Sequence, residues 1–284
     1  MLNKFRIFIW SALLFAIIFL CANNSYAWGE KGHKLINKKA MDYLPDEMKD
    51  FRVWGNYLGD HAADADKRKG TDKTEGSKHF IDIDFYPEFL LGKMIQDKDS
   101  LIGLYGEETV EKMGYLPWAT VDTYKNLVKA FKDGNRDRAL IFASDLGHYV
   151  ADGHQPMHTV MNYNGQLTKQ KGVHARYEVR MVDRYLSEIE NSFGNCKIAQ
   201  ITDPLAYAFN YITNANSVSD ILFVADNFST KKAGDTTSDE YYRLMWYKTN
   251  YVTKVQFNKA AQDLASFVYT AWVEAGKPDF SKFN

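Results

Sequence analysis

Residues 148–158 read His-Tyr-Val-Ala-Asp-Gly-His-Gln-Pro-Met-His and place three imidazoles and one carboxylate within eleven positions. His148 and Asp152 are four residues apart, so on a helix both side chains leave the same face and can reach one cation. Pro156 ends or bends such a helix and turns His158 in another direction, toward a neighbouring cation. One such pair is more often a surface ion pair or a helix cap, so this interpretation needs support from the rest of the chain.

Helical periodicity dominates the rest of the sequence. Apolar residues recur at helical spacing in six segments, which are 33–44, 117–134, 139–152, 175–189, 205–216 and 259–275. Alternating strand patterns are few and short, and residues 80–85 form the best of them. Two polar stretches, 59–78 and 162–172, are expected to be loops. We therefore predict an all-α, single compact multi-helix domain with long functional loops.

Further candidate metal ligands lie outside the first stretch. The chain has seven histidines, all between His33 and His174. His174 and Glu178 repeat the i,i+4 arrangement with a longer carboxylate, and Asp64 precedes His79 by 15 residues. Together these groups are too many for a single ion. Imidazole and carboxylate ligands without a thiolate favour Zn²⁺, with Mn²⁺ or Fe²⁺ as alternatives, so we predict a polynuclear metal site.

Residues 1–27 have the pattern of a secretory signal peptide, with a basic start, an apolar run and small residues before the cleavage point. A single membrane anchor is the alternative, but the apolar run of about 14 residues is short for a span that needs roughly 20. Cleavage after Ala27 would free the α-amine of Trp28. This amine, the carbonyl of Trp28 and the imidazole of His33 can chelate one cation. We expect a secreted or periplasmic mature protein, residues 28–284.

Charge and cysteine content restrict the function classes. Loss of Lys4 and Arg6 leaves 33 basic against 36 acidic residues, which gives no basic stripe of the kind that follows nucleic-acid backbones. Cys196 is the only cysteine left after cleavage, so any cross-link has to come from something other than an internal disulfide, and bound metal is one group that can supply it. The remaining 257 residues suit one large domain. No later segment is long and apolar enough to span a bilayer, and we expect a monomer.

The sequence resembles a known superfamily in three places: Trp-Gly-x-x-Gly-His at 28–33, His-Phe-Ile-Asp at 79–82, and His-x3-Asp-x3-Pro-x-His at 148–158. These motifs are similar to those of the zinc-dependent phospholipase C/P1 nuclease superfamily, and they are closer to the bacterial phospholipase C branch. The likeness covers residues 28–178. It implies an α-helical fold that holds three zinc ions in a cleft.

The resemblance also implies a ligand set for each ion. The first zinc would take Asp64, His79, His148 and Asp152. The second would take the Trp28 amine and carbonyl, His33 and the other oxygen of Asp152. The third would take His158, His174 and Glu178. Asp66 competes with Asp64, and spacing to His79 favours Asp64. His61 and His154 are left without a ligand role, and residues 67–69 are interpreted as a solvated charge run.

Such a site predicts phosphoester hydrolysis by metal-activated water. Asp64 is a candidate base as well as a ligand. The sequence contains no Gly-rich phosphate loop and no G-x-S-x-G nucleophile elbow, which disfavours covalent catalysis.

The sequence gives conflicting indications of the substrate. Glu178 and the stretch 162–167 resemble the phospholipases. Ala65 and Gly76 stand where choline-binding phospholipases carry aromatic residues, and the short spacing of residues 28–33 is nuclease-like.

We therefore expect cleavage of a phospholipid to diacylglycerol and a phosphorylated headgroup. The alternative is an S1/P1-type single-strand nuclease or 3′-nucleotidase. A third hypothesis, a zinc-stabilised binding protein without turnover, is disfavoured by the complete ligand set.

Overall fold

Helices make up nearly all the regular structure in the computed structural model, which describes residues 28–283. The α-helices are α1 Gly29–Asp42, α2 Gly55–Asp60, α3 Asp64–Arg68, α4 Pro87–Leu90, α5 Lys98–Tyr105, α6 Glu107–Met113, α7 Leu116–Lys132, α8 Arg136–Gly153, α9 Val173–Ala175, α10 Val182–Glu190, α11 Pro204–Asn216, α12 Ser219–Ala233 and α13 Asp239–Glu274. Short 3₁₀ segments span Asp46–Trp54, Gly76–His79, Ile83–Phe85, Pro156–Thr159 and Phe280–Phe283, and a π-helix spans Arg176–Met181. No strand occurs in this range, so the all-α prediction is confirmed.

Helix α13 is the central element of the core. It packs against α1, α7, α8 and α12. Its 36 residues extend far beyond the predicted segment 259–275. The difference arises at its start, where Ser238 caps the helix by accepting a hydrogen bond from the Tyr241 amide at 3.2 Å. The buried face of its first half begins with apolar residues, Tyr241 to Trp246, but continues through Thr249, Thr253 and Gln256, which interrupts the apolar periodicity before residue 259.

Helix α8 carries the first metal-ligand pair and is held close to α1. A Cβ atom on Gly147 would overlap the side-chain oxygen of Asn37 and lie 2.7 Å from Leu264. The amide of Asn37 donates to the carbonyls of Leu58 and Ser144, both at 3.1 Å. The close approach that Gly147 permits therefore sets the distance between the side chains of α1 and α8.

The strand expected at residues 80–85 does not form. Phe80 is extended, but Asp82 lies at the centre of a tight turn in which the Ile83 amide donates to the Ile81 carbonyl at 2.8 Å. The other hydrogen bonds go to a 3₁₀ turn and a helix end: the Ile81 amide donates to the His158 carbonyl at 2.9 Å, and the Asp82 amide to the Met113 carbonyl at 2.8 Å. The alternating pattern reflects the burial of Ile81 and Ile83 on either side of this turn, which needs no strand partner.

Of the two segments predicted to be loops, one lacks regular structure and the other contains helical turns. Residues 162–172 form turns and bends, as expected, whereas residues 59–78 contain α3 and the 3₁₀ turn Gly76–His79. The proposed signal peptide, residues 1–27, lies outside the described residues. Within residues 28–283, none of the helices has the length and apolar character needed to cross a bilayer.

Replacing Gly147 by alanine is expected to destabilise the protein by about 1–3 kcal/mol, because the added methyl group overpacks the contact between α1 and α8. Gly103→Ala is the matched control. Gly103 also lies in a helix, and its Cβ would meet nothing within 4 Å. Thermal or denaturant unfolding of both variants measures the difference. Equal stability of Gly147→Ala and Gly103→Ala would contradict the packing argument.

Candidate metal centre

Four parts of the chain bring their polar side chains together inside the protein. They are α1, the α3–His79 segment, α8 with the turn that follows it, and the α9/π-helix segment. The side chains that converge are all buried: His33, Asp66, His79, His148, Asp152, His158, His174 and Glu178. Buried ionisable groups are costly unless they are paired or coordinate a metal, so this concentration indicates a site.

The first cluster consists of His33, Asp66, His79, His148 and Asp152, and the Asp152 carboxylate contacts members of it through both oxygens. Its Oδ2 lies 3.0 Å from His79 Nδ1 and 3.3 Å from His148 Nε2. Its Oδ1 lies 3.4 Å from Nε2 of His33, whose ring stacks on His148 at 4.0 Å. Asp66 Oδ1 completes the cluster, at 3.5 Å from His79 and 3.6 Å from His148.

The second cluster surrounds Glu178. Its Oε2 lies 2.7 Å from His174 Nε2 and 3.4 Å from His158 Nε2. Gln155 donates to the same oxygen at 2.8 Å. His158 Nδ1 is 3.8 Å from Asp152 Oδ1, so the two clusters adjoin. The structure thus brings together the three residues that the resemblance implies for the third zinc.

The glycine motif at the start of α1 has a steric cause. Gly29 has a φ of 58°, which favours glycine, and a Cβ on Gly32 would lie 2.9 Å from the Trp28 Cβ and 3.2 Å from Phe257. Trp28 is fully buried, and its indole donates to the Ala151 carbonyl at 2.8 Å. The motif therefore fixes the start of α1 against the end of α8, beside Asp152.

Backbone carbonyls orient two of the imidazoles. His148 Nδ1 lies 2.7 Å from the Ala62 carbonyl, and His158 Nδ1 lies 2.6 Å from the His79 carbonyl. Each Nδ1 must donate its proton there, which leaves Nε2 as an unprotonated donor atom for a metal. This arrangement is typical of metal-binding histidines.

Several polar atoms in the clusters have no hydrogen-bond partner among the described residues, although nearly all buried polar groups in proteins have one. They include both ring nitrogens of His33, Asp66 Oδ2, Asp152 Oδ1, and the Nε2 atoms of His158 and His174. His174 Nε2 is close to Glu178 but lacks hydrogen-bond alignment.

Three buried groups have ligand atoms close enough to hold a metal ion. They are His33/Asp66/His148, His79/His148/Asp152 and His158/His174/Glu178. The unsatisfied atoms and these groups together fit a polynuclear metal site.

The electrostatics of the first cluster favour added positive charge. Burial lowers the pKa of His33, and nearby His148 lowers it further. Burial also acts to lower the pKa of His148, but the attraction of Asp152 and Asp66 outweighs it and raises the pKa to about 9. The pKa of Asp152 stays well below its usual range, since His148 and His158 overcome the effect of burial. The carboxylates thus draw a proton onto His148, where a cation would supply the same charge.

Asp64 lies outside this cluster, contrary to the sequence-based preference. Its carboxylate bonds His61 at 2.7 Å and Lys67 at 2.8 Å, and its side chain is 37% exposed. Asp66 is buried among the imidazoles instead. Two residues along a helix turn the side chain by about 200°, so α3 can direct only one of the two carboxylates inward. Spacing to His79 alone cannot identify which one.

The two histidines without an expected ligand role also lie outside the clusters. His61 stacks on Tyr57 at the surface. His154 is buried, with its ring nitrogens 2.9 Å from Asp263 and 3.1 Å from Gln256. This contact joins the end of α8 to α13.

Sequence analysis missed Glu75, which lies behind His79. Glu75 Oε1 is 3.4 Å from His79 Nε2, and Tyr149 donates a short hydrogen bond to the same oxygen. Lys78 contacts the other oxygen at 3.0 Å, and Arg68 lies at 3.4 Å. Although burial raises the pKa of Glu75, hydrogen bonding to His79 and then Tyr149 lowers it below its usual range. The ionised carboxylate is placed to orient the His79 ring. The spacing of four residues between Glu75 and His79 is the sequence feature that could have identified this contact.

A cleft of about 440 Å³ opens over the clusters, and His79, His158 and His174 lie in its wall. Lys69 and Lys112 also line it. Lys69 forms an ion pair with Asp66 at 2.5 Å. Residues 67–69 were predicted to be solvated charges without a role in the site, and this prediction is wrong for Lys69.

The remaining walls of the cleft are largely apolar. Phe80, Met113, Met157 and Tyr163 line it, together with Asp82. Burial, with a further contribution from Asp84, raises the pKa of Asp82 to about 7. Near neutral pH this carboxyl can therefore donate or accept a hydrogen bond.

Comparison with known proteins supports the fold. Neither a protein-family model nor a curated protein sequence matches the chain. Among solved structures, the alpha toxin from Clostridium absonum is similar, with a TM-score of 0.53 and 12% sequence identity. The match covers 88% of this chain and 66% of the toxin. The structural similarity shows a shared all-α fold. Because the sequence identity is only 12%, the activity has to be inferred from the site.

Asp66→Asn is expected to reduce the number of tightly held metal ions, because it removes a buried ligand atom from the first cluster. Asp64→Asn is the matched control and is expected to keep the wild-type metal content. Elemental analysis after dialysis measures both. Loss of metal from Asp64→Asn with normal content in Asp66→Asn would restore the sequence-based assignment.

Glu75→Gln is expected to weaken metal binding by about 10–100-fold, because His79 loses the charged partner that orients its ring. Calorimetric titration of metal-free protein measures the affinity, and ¹⁵N shifts of the His79 ring report its protonation without metal. Glu111→Gln changes an exposed carboxylate on α6 and serves as the control. Wild-type affinity and unchanged ring shifts in Glu75→Gln would rule out the orienting role.

Proposed function

We propose that the protein is a zinc-dependent phosphodiesterase that hydrolyses a phosphoester bond. One observation carries the proposal: buried imidazole and carboxylate groups with unsatisfied ligand atoms adjoin the same cleft as two lysines. When bound, the cations supply an activated water and neutralise phosphate oxygens.

Three zinc ions suit the three groups of ligands. In this assignment Asp66 takes the place first given to Asp64, beside His79, His148 and Asp152. His33 and the second oxygen of Asp152 join the amine and carbonyl of Trp28. His158, His174 and Glu178 hold the third ion. The lack of thiolates among these ligands supports zinc over softer metals, with Mn²⁺ and Fe²⁺ as alternatives.

The chain's own cations and backbone contacts contribute to binding and orientation. Lys69 and Lys112 face the cleft and attract the phosphate charge. Asp64 lies at the surface with His61 and Lys67, so the role of candidate base passes to Asp66, which lies inside the first cluster. Glu75 and the carbonyls of residues 62 and 79 hold the rings in place.

A phospholipid is the first candidate substrate, cleaved to diacylglycerol and a phosphorylated headgroup. Met113, Met157 and Tyr163 give the cleft an apolar wall that suits the glycerol and the start of the acyl chains. A single-stranded nucleic acid is the second candidate. Phe80 offers a ring for stacking, and Asp82, with its raised pKa, offers a hydrogen bond to a base. A zinc-stabilised protein without turnover is disfavoured because the ligand groups are complete.

Export completes the proposed site. Cleavage after residue 27 would free the Trp28 amine, and the mature protein would be secreted or periplasmic. Determining the N-terminal sequence of the exported protein tests this step. A mature chain that begins anywhere but at Trp28 would remove the terminal chelate from the ligand set.

Zinc-loaded mature protein is expected to hydrolyse a chromogenic phosphodiester, and a chelator is expected to abolish this activity until zinc is restored. Phosphatidylcholine, phosphatidylethanolamine and single-stranded DNA are then compared in parallel. Failure on every ester would favour the inactive scaffold. DNA cleavage without lipid turnover would select the nuclease.

A further inference from the structure

The segment that leads from the turn after α8 to His174 exposes apolar side chains beside the cleft. In this segment, residues 161–171, which we name the rim loop, Leu167 is 69% exposed, Tyr163 47% and Met161 38%. Tyr163 also lines the cleft and packs 5.9 Å from the His174 ring. The apolar tips therefore lie next to the entrance of the candidate site.

The rim loop satisfies many of its own polar groups. The Leu167 amide donates to the Asn162 side chain at 2.8 Å, and the Asn164 amide donates to Gln166 at 2.9 Å. Gln166 in turn donates to the Met161 carbonyl at 2.6 Å. Backbone groups that already have partners can approach a medium of low dielectric constant at little cost.

A buried network fixes the base of the rim loop. Gln170 donates to Asp226 and to the Phe223 carbonyl of α12, both at 2.8 Å. Arg176 pairs with Asp226 at 2.7 Å and donates to the Lys171 carbonyl at 3.0 Å. The exposed tips are therefore presented by a braced loop.

The rim loop itself carries only positive charge, and the carboxylates that contact it already have partners. Asp84 accepts a hydrogen bond from the Met161 amide at 2.8 Å, and Asp226 accepts from Gln170 and pairs with Arg176. No acidic residue occurs between Asp152 and Glu178, and both of these are buried. Lys169 and Lys171 are exposed in the rim loop, and neither forms an ion pair with another residue in the range 28–283. An apolar tip flanked by cations is complementary to a surface that is apolar inside and anionic outside.

We propose that the rim loop docks on an anionic phospholipid surface, with Leu167 and Met161 in the acyl boundary and Lys169 and Lys171 on the headgroup phosphates. The most exposed tip, Leu167, lacks the flat ring on which bases stack, and the Tyr163 ring lies on the cleft beside His174, which favours lipid over nucleic acid at the tip of the loop. The functional role of this docking rests on the proposed phospholipid substrate, although docking itself requires no turnover.

Sedimentation with vesicles of phosphatidylcholine and phosphatidylglycerol tests the proposal on the mature protein, both zinc-loaded and chelator-treated. The wild type is expected to bind these vesicles more strongly than vesicles of phosphatidylcholine alone. Lys169→Glu/Lys171→Glu is expected to weaken binding by about tenfold or more, since each lysine near the surface contributes about fivefold. Leu167→Ser is expected to weaken binding on both vesicle types.

Val53→Ser is the matched control, because Val53 is also 69% exposed but lies on the 3₁₀ segment Asp46–Trp54. It is expected to bind as the wild type does. Melting temperatures establish that every variant is folded. Absence of wild-type binding, or equal binding by the rim-loop variants and the wild type, overturns the proposal.

A single-stranded oligonucleotide provides the opposing test. Oligonucleotide binding that falls in Lys169→Glu/Lys171→Glu, without vesicle binding by the wild type, would assign the loop to nucleic acid and overturn the proposal. Vesicle binding that depends on the rim loop, in a protein that hydrolyses no phosphodiester, would support docking while refuting the proposed function.

Discussion

One fully buried carboxylate, that of Asp152, is the constraint on which the rest of the centre depends. It is in contact with imidazoles on both oxygens, His79 and His148 on one and His33 on the other. A buried charge is tolerated only when opposite charge or a metal compensates for it. The packing of α1 against α8 brings His33 to Asp152, and Gly147 and Asn37 make that approach possible. The helical core thus positions groups that are unfavourable in isolation.

The two clusters depend on different kinds of local structure. The first takes His33, Asp66, His148 and Asp152 from α-helices and His79 from the 3₁₀ turn Gly76–His79, and it relies on close helix packing. The second depends on the π-helix Arg176–Met181, which follows directly after α9 and carries Glu178. Single π turns are uncommon and frequently mark functional sites. Arg176, in the same turn, is bonded to Asp226, so the turn is linked to α12 as well as to the candidate metal ligands.

Much of this centre could be predicted from sequence, because spacing of four residues is enough to put His148 beside Asp152 and His174 beside Glu178. Periodicity likewise predicted α8 and α11 nearly to their ends. The choice between Asp64 and Asp66 could not be made, because it depends on which side of a five-residue helix faces inward. The extent of α13 was also hidden, since polar threonines occupy buried positions in its first half. Glu75 shows a different limit: its spacing to His79 was visible, but its role depends on Tyr149, which is distant in sequence.

The burial of Trp28 has a consequence for the order of events when the protein is made. Its side chain is enclosed between Tyr177 and Phe257, so Trp28 takes up its position only when the core packs around it. Under the proposed processing, the last metal ligand therefore becomes available as the core closes. A precursor that folded with its leader still attached would carry an amide nitrogen at that position, which would leave the proposed terminal chelate without its amine.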